Sequence, residues 1–313
     1  MEKRDSDVVR KLVVFGATGN VGAHVLSSLL DEPAGKLRIR AVTRDPAALR
    51  ERLGERGLRP QLEIVKGELS AGAAVAELTH IVAGAQRVFL CLPQRLASAD
   101  MVLVSNALSD ACHQAGVSHI VRISSARIDS KHSTCRALAH GGTPVPSQGP
   151  LGEAHVAGEV YTKELGIGLT SIRPTSFHSN FLAYDLPAIK SASLFASPLG
   201  SVAAVNWVSC CDIAAVAVRA LLDPVLDGRV LDVTGPPSST LSAAQMQALL
   251  EAKCARPIGY KEVPPPPVAD MQGLWAFLRA GGFDMSTSTV LDVTGQAPQD
   301  FSDFLDSLDL SQF

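Results

Sequence analysis

Short apolar runs alternate with segments of helical periodicity along the first 124 residues of the chain. The runs are typical of buried strands, and the periodic segments are typical of amphipathic helices. The predicted strands are 11–15, 37–43, 62–65, 87–92 and 119–124, and the predicted helices are 21–30, 46–53, 75–83 and 99–115. Alternation of this kind predicts an α/β fold, a doubly wound parallel Rossmann sheet with helices on both faces.

The pattern changes after residue 125. Residues 126–150 have no periodicity, and a long loop inside a compact domain is typical of a segment that covers a substrate. Regular elements return at 152–165, 169–172, 212–222, 229–233, 242–253 and 268–280. We predict a Rossmann domain at 8–173 plus 202–235. A smaller C-terminal substrate-binding lobe, 174–201 plus 236–313, is predicted over the carboxyl ends of the strands, where open sheets of this kind bind ligands.

The composition excludes several classes of protein. Hydrophobic residues make up 46% of the chain and the formal net charge is −3, so nothing indicates a nucleic-acid partner. No stretch approaches the roughly 18 apolar residues of a membrane span, and the first ten residues lack the apolar core of a signal peptide. The six cysteines lack the spacing of a metal site, so no metal is expected. These features predict a cytoplasmic protein without a membrane or nucleic-acid partner. A small-molecule substrate is expected, and the sequence leaves open whether the protein is a monomer or a homodimer.

A glycine-rich loop follows the first predicted strand and opens the first predicted helix. It reads Gly16-Ala17-Thr18-Gly19-Asn20-Val21-Gly22. In such a loop one glycine permits the sharp turn, one lets the backbone approach a pyrophosphate, and one allows the helix to pack closely on the strand. The start of the helix then offers unpaired N–H groups and the positive end of its dipole to the phosphates. The loop predicts a dinucleotide-binding site.

The end of the second predicted strand indicates which dinucleotide is bound. An acidic residue there would bind the ribose 2′-hydroxyl of NAD, whereas this chain has Arg44, whose guanidinium suits the 2′-phosphate of NADP. We therefore predict NADP(H), although the nearby Asp45 and Arg50 leave the choice between NADP and NAD open, and Arg44 also fits an ordinary solvated charge. Glu68, after the third strand, is predicted to border the adenine. Leu92 and Pro93, after the fourth, are predicted near the nicotinamide-side ribose.

Several segments resemble one known family. The Gly-x-x-Gly-x-x-Gly loop, the His-x-x-x-Glu segment from His155 to Glu159, and the strand 168–174 with its final Arg-Pro resemble the NmrA-like branch of the atypical short-chain dehydrogenase/reductases. Further stretches agree at 115–121, 212–217, 231–236 and 293–298, so the resemblance covers essentially the whole chain. The family contains NADPH-dependent quinone and dye reductases, iminium-reducing enzymes of alkaloid pathways, and regulators that bind NAD(P) without turnover. It implies an oxidoreductase, with a role in secondary metabolism.

The usual acid of short-chain dehydrogenases, a Tyr with a Lys four residues later, is absent. Tyr161, Tyr184 and Tyr260 are followed four places on by Leu, Ala and Pro. In related enzymes the helix position matching His155 carries a Lys implicated in proton transfer, which makes His155 the candidate acid. The alternative is that His155 only lines the pocket. Ser124 and Ser125 end the fifth predicted strand, where Ser124 is expected to contact the cofactor and Ser125 to take part in catalysis.

The leading hypothesis is an NADPH-dependent reductase that transfers hydride to a small conjugated acceptor: a quinone, an imine or iminium, or an activated C=C bond. Phe177, His178 and Phe181, after the Arg-Pro strand, are predicted to bind the substrate. Two alternatives stay open. One is a non-catalytic redox sensor that binds NAD(P), and the other is an isomerase or epimerase that retains its nicotinamide.

Overall fold

The computed structural model describes residues 10–33, 35–93, 95–128, 145–308 and 310. Its strands are β1 (Arg10–Phe15), β2 (Leu37–Thr43), β3 (Leu62–Lys66), β4 (Arg87–Leu90), β5 (His119–Ile123), β6 (Gly168–Pro174), β7 (Ser176–Phe177), β8 (Leu194–Ser197), β9 (Ala204–Val208), β10 (Val230–Val233), β11 (Thr240–Ser242) and β12 (Gly259–Glu262). The predicted covering loop falls mostly outside the described residues, because 129–144 are not among them.

The α-helices are α1 (Gly22–Asp31), α2 (Pro46–Leu53), α3 (Val75–Val82), α4 (Ser98–Gln114), α5 (Pro150–Glu164), α6 (His178–Asn180), α7 (Leu186–Ala192), α8 (Cys210–Leu222), α9 (Ala243–Cys254), α10 (Gln272–Arg279), α11 (Thr289–Thr294) and α12 (Phe301–Asp306). A π-helical turn, Phe181–Asp185, joins α6 to α7. Short 3-10 turns occupy Gly54–Leu58, Pro224–Leu226, Pro237–Ser239 and Ala269–Met271. Among the described residues, no helix is long and apolar enough to cross a membrane.

Among the described residues, seven strands form the central sheet in the order β10-β6-β5-β4-β1-β2-β3. The neighbouring pairs from β3 to β6 are parallel. Every residue of β4 and β5 is buried, because helices cover both faces of a parallel sheet. The order reverses at β1, which places the end of β1 beside the end of β4, where sheets of this kind bind ligands. The predicted doubly wound parallel sheet is confirmed.

The chain divides into two compact units. One contains the chain as far as Ser124 together with Ala157–Ile172 and Ala214–Val230. The other contains Ser125–Val156, Arg173–Ile213 and Leu231–Phe313. The domain boundaries predicted from the sequence remain a prediction, since these units are defined by compactness and not by independent folding.

Each unit has its own hydrophobic core. In the first, the inward faces of the strands pack against α3 and α4, with Val13, Val88 and Leu108 fully buried. In the second, an aromatic cluster that includes Phe181, Phe277 and Phe301 fills the interior. The second unit also holds a small sheet, β11-β9-β7, and the pair β12-β8.

Candidate functional site

The glycine loop forms a tight turn between β1 and α1. Gly16 has φ +78°, a left-handed conformation that L side chains rarely adopt, and a Cβ there would lie 2.8 Å from the carbonyl oxygen of Cys91. At Gly22 a Cβ would lie 2.0 Å from the carbonyl oxygen of Gly16. Gly16 therefore supplies the turn and Gly22 the close packing, and Gly19 is left for the approach of a ligand. The amide of Gly19 donates to the Gly16 carbonyl at 2.9 Å.

The N-terminus of α1 carries no side-chain cap. Val21 stands at the N-cap, and the first turn has no acidic residue. The first N–H groups of a helix have no partner within the regular helix, and here the amide of Ala23 donates to the carbonyl oxygen of Gly19 at 3.0 Å. By contrast, Asp45 caps α2 and Ser242 caps α9. Thr18, Gly19 and Asn20 are exposed just before α1, so this end of the helix is open to an anion.

A basic residue of α2 also reaches the loop. The guanidinium of Arg52, from α2, donates to the carbonyl oxygen of Thr18 at 3.2 Å. This contact places a positive charge beside the loop. No sequence motif marks Arg52, because only the packing of α2 brings it there.

A cavity of about 360 Å³ lies at the ends of β2 and β3. Its lining includes Arg44, Lys66, Glu68 and Ser70. Arg44 and Glu68 form an exposed ion pair, with 3.8 Å between Nη1 and Oε1. The structure thus brings Arg44 and Glu68 together and adds Lys66, the last residue of β3. A mixed cavity with two cations and a hydroxyl suits the 2′-phosphate of NADP.

Two of the predicted cofactor contacts follow the end of β4 and a third follows β5. Leu92 is half-buried and Pro93 is exposed. Ser124 is 6% exposed, and its Oγ has no hydrogen-bond partner among the described residues. A buried hydroxyl without a partner is costly, so Ser124 is suited to bind a group absent from the protein itself. This orphaned atom and the uncapped helix fit a bound dinucleotide.

In the second unit, Ser125 belongs to a short hydrogen-bonded chain. Its Oγ donates to Oε1 of Gln148 at 2.9 Å, and Nε2 of Gln148 donates to the carbonyl oxygen of Ala126 at 2.6 Å. Gln148 is 1% exposed. No motif or period in the sequence marks Gln148, because it lies in a stretch without periodicity.

His155 lies in the second turn of α5 and is half-buried. Glu159 follows one turn later on the same helix and is buried. Residues four apart share a helix face. The role of His155 as an acid stays a prediction.

Tyr161 is unsuited to the role that tyrosine has in ordinary short-chain dehydrogenases. Its hydroxyl donates to Oδ1 of Asp110 at 2.8 Å, and this hydrogen bond raises the pKa of Tyr161 above its usual range. A catalytic tyrosine needs a lowered pKa, which a nearby ammonium would give. Leu165 stands where that lysine would be.

The three predicted substrate residues lie on β7, α6 and the π-helical turn. Phe177 is half-buried, whereas His178 and Phe181 are 2% and 0% exposed. The rings of His178 and Phe181 both pack edge-on against Phe301, at 5.2 and 5.7 Å between centroids. Burial lowers the pKa of His178 to about 4. Their role in substrate binding stays a prediction.

Within each unit, the structure gathers part of the predicted site. The first unit brings the glycine loop, Arg44 and Glu68 to the carboxyl ends of its strands, and the second holds Ser125, His155 and the aromatic residues. Across the described part of the chain, no group of His, Cys, Asp and Glu side chains could hold a metal ion. The arrangement suits the binding of a dinucleotide through phosphate contacts.

Comparison with known sequences gives a family and two similar enzymes. The model of the NmrA-like family matches residues 9–277. An NAD(P)H azoreductase from Xenophilus azovorans is 31% identical over 94% of this chain and 96% of its own length. A (4-alkanoyl-5-oxo-2,5-dihydrofuran-3-yl)methyl phosphate reductase from Streptomyces griseus subsp. griseus is 30% identical over the same shares.

Solved structures share the fold. An NADPH-dependent quinone oxidoreductase from Escherichia coli, complexed with NADPH, superposes with a TM-score of 0.76 at 19% identity and covers 96% of this chain and 99% of its own. A triphenylmethane reductase from Citrobacter sp., complexed with NADP(H), gives 0.74 at 16% identity over 96% and 100%. At these identities the likeness concerns the fold alone.

Proposed function

The chain belongs to the NmrA-like family, and on that premise we propose that it is an NAD(P)H-dependent oxidoreductase that transfers hydride from NADPH to a small conjugated acceptor. The two relatives described above, at 31% and 30% identity, are named as reductases, and the alignment covers 96% of each of them. The observation that carries the proposal is the uncapped N-terminus of α1 behind the glycine loop, because an open helix end of this kind attracts a pyrophosphate.

Separate groups of residues would hold the parts of the cofactor. The loop from Gly16 to Gly22, which also contains Ala17, Thr18, Gly19, Asn20 and Val21, would bind the pyrophosphate. Arg44 would bind the 2′-phosphate, with Lys66 beside it, and Glu68 would border the adenine. Leu92, Pro93 and Ser124 would contact the nicotinamide side, where NADPH supplies the hydride when bound.

The second unit would bind the acceptor. His155 is the proposed proton donor, since an imidazole exchanges protons near neutral pH and Tyr161 is engaged by Asp110. Phe177, with His178 and Phe181 behind it, would form an apolar wall. Ser125 would contact the bound ligand. An aromatic wall favours flat conjugated molecules, so we propose quinones, imines, azo compounds and activated C=C bonds as the acceptor class.

The test is oxidation of NADPH by a panel of such acceptors. We expect menadione, an azo dye or a cyclic imine to cause steady loss of the NADPH absorbance. Gly19→Val should abolish this activity and NADPH binding, because a side chain would fill the space through which the backbone approaches the phosphates. Gly259→Ala is the matched control, since its Cβ would make only ordinary contacts, the nearest at 3.5 Å.

Other outcomes would replace the proposal. Tight NADPH binding without oxidation by any acceptor would indicate the redox sensor. Conversion of a substrate without net consumption of the nicotinamide would indicate the isomerase or epimerase. Activity that survives in Gly19→Val would show that the loop does not bind the cofactor.

A further inference from the structure

Gln148 is held in one place by the backbone around it. Its side chain is 1% exposed. A Cβ at Gly152 would lie 2.8 Å from the Cβ of Gln148, so α5 packs directly on this residue. Gly149 has φ +66°, and a Cβ there would lie 3.0 Å from the Cα of Gly273. A side chain enclosed in this way has few alternative rotamers.

The orientation of the Gln148 amide follows from its partners. Its Nε2 lies 2.6 Å from the carbonyl oxygen of Ala126, and a backbone carbonyl only accepts hydrogen bonds. The amide nitrogen must therefore point at Ala126, because the opposite orientation would place two acceptors in contact. The carbonyl of Ala126 belongs to a residue that is fully buried, and the Ala126 amide donates to the carbonyl of Pro174 at 3.0 Å.

This orientation fixes the hydroxyl of Ser125. With Nε2 on Ala126, Oε1 of Gln148 faces Ser125 at 2.9 Å and can only accept. The single proton of the Ser125 hydroxyl is therefore donated to Gln148. The hydroxyl retains lone pairs and no proton for any further partner.

We propose that the ligand group that meets Ser125 is a hydrogen-bond donor, and that Gln148 is the positioning residue that imposes this polarity. The inference rests on the proposed function, which places Ser125 at the bound ligand. The donor would be the carboxamide N–H of the nicotinamide, or an N–H or O–H of the acceptor molecule. A quinone carbonyl oxygen or an azo nitrogen without a proton can only accept a hydrogen bond. At this position its lone pair would face a lone pair of the Ser125 oxygen. Ser125 is thus a specificity determinant and not an acid.

The cofactor arm of the test compares NADP⁺ with its 3-acetylpyridine analogue, which keeps the ring carbonyl but replaces the amide NH₂ with a methyl group. Dissociation constants are measured by equilibrium titration, which needs no turnover. If the carboxamide is the donor, the wild type should prefer NADP⁺ about tenfold, as expected for one hydrogen bond at a half-buried oxygen. Ser125→Ala should abolish most of that preference.

The acceptor arm compares a 2-hydroxyaryl azo dye, whose hydrazone tautomer carries an N–H, with its O-methyl ether, which cannot form that tautomer. If the acceptor is the donor, the wild type should bind the hydroxy dye about tenfold more tightly in the presence of NADP⁺. Gln148→Met keeps the size of the side chain but releases the proton of Ser125. Gln148→Met should therefore lower the preference that the wild type shows, either for NADP⁺ over its analogue or for the hydroxy dye over its ether.

Ser147→Ala is the matched control, because it removes a neighbouring exposed hydroxyl that accepts from the Gly149 amide at 3.3 Å. Its preferences should equal those of the wild type. The proposal is overturned if neither arm shows a preference, or if Ser125→Ala leaves the observed preference unchanged. Should Gln148→Met fail to fold, Ser125→Ala alone still decides the result. Failure of the reductase proposal would give a different result. NADPH would then not be oxidised by any acceptor, while the dissociation constants of both arms could still be measured.

Discussion

Arg44 and Glu68 carry opposite charges and line the same cavity of the first unit. The closest nitrogen and oxygen are 3.8 Å apart, and the side chains are 80% and 57% exposed. Exposed pairs of this kind contribute little to stability, because water screens both charges. Arg44 is therefore free to turn from Glu68 to a phosphate at small cost, while the carboxylate of Glu68 repels that phosphate.

Substitutions at these two residues should change cofactor preference in opposite directions. NADPH and NADH differ only in the 2′-phosphate, so Arg44→Asp should lower the affinity for NADPH relative to NADH by about 10- to 100-fold, as for loss of one charged hydrogen-bonded contact. Glu68→Gln should raise the same ratio several-fold. Both dissociation constants are measured by titration at low and high salt, and the effects should shrink at high salt.

Arg38→Asp is the control for this pair. It makes the same change of charge near the start of β2, whereas Arg44 follows the end of that strand. The guanidinium of Arg38 donates to the carbonyl of Pro60 at 2.9 Å. The ratio of NADPH to NADH affinity in Arg38→Asp should stay close to that of the wild type. An unchanged ratio in Arg44→Asp would instead remove Arg44 from the phosphate site.

Single residues differ in how far the sequence reveals them. Arg44 and Glu68 were predictable because the ends of neighbouring parallel strands meet, and the strands themselves were evident. Lys66 is the last residue of β3, the strand that Glu68 follows, and could have been predicted for the same reason. Gln148 could not, since its importance comes from enclosure by Gly152 and Ala126 and from no local pattern.

At the scale of elements, the contact between β1 and α1 depends on Gly22. This residue opens α1, and its Cα passes so close to the Gly16 carbonyl that a Cβ would lie 2.0 Å from the oxygen and 2.7 Å from the carbon. Both atoms belong to the backbone and cannot rotate away. The register of the helix on the strand, and thus the shape of the loop, therefore requires glycine here.

Gly22→Ala should displace α1 or the loop. We expect a loss of about 1–3 kcal/mol in the free energy of unfolding, typical of overpacking in a filled interior. NADPH affinity should fall as well, because the displaced N–H groups would no longer face the position proposed for the pyrophosphate. Denaturant unfolding and cofactor titration measure the two effects, with Gly259→Ala as the control. Wild-type affinity in a stably folded Gly22→Ala protein would contradict this account of the loop.

The elements that could be predicted are those with a clear period. The strands β1–β5 and the helices α1–α4 were located within a few residues, because buried runs and amphipathic helices leave strong patterns. Strands β7 and β11 have only two and three residues, which is too short for any period to emerge. Strand β9 is mostly buried but forms a three-stranded sheet with β7 and β11, so its pairing depends on neighbours that the sequence does not mark.

At the scale of the whole molecule, stability should depend on pH through a histidine inside the second unit. His178 is 2% exposed and packs against the rings of Phe301 and Phe304. Burial disfavours the charged imidazole and lowers the pKa of His178 from 6.5 to about 4. As the pH falls from 6.5 towards 4, the unfolded chain therefore takes up a proton at His178, whereas the folded protein does not.

Asp185, at the end of the π-helical turn, acts in the opposite sense. Burial raises the pKa of its carboxyl from 3.8 to about 7. The folded protein holds this proton while the unfolded chain has released it, so the associated stability is present at low pH and is lost as the pH rises through 7. The two residues partly offset each other between pH 4 and 6.5, and the profile of the wild type alone would not separate them.

The difference between the wild type and His178→Leu isolates the histidine, because Asp185 is common to both proteins. For the wild type relative to the variant, the free energy of unfolding should fall by about 3 kcal/mol between pH 7 and pH 4, which is most of the value of the pKa shift. Denaturant unfolding at several pH values measures it. Phe277→Leu removes a ring from the same core, one that packs against Phe283 at 5.2 Å, and should lower stability equally at every pH. A constant difference between the wild type and His178→Leu would show that the folded and unfolded proteins bind this proton equally, so that folding does not lower the pKa of His178.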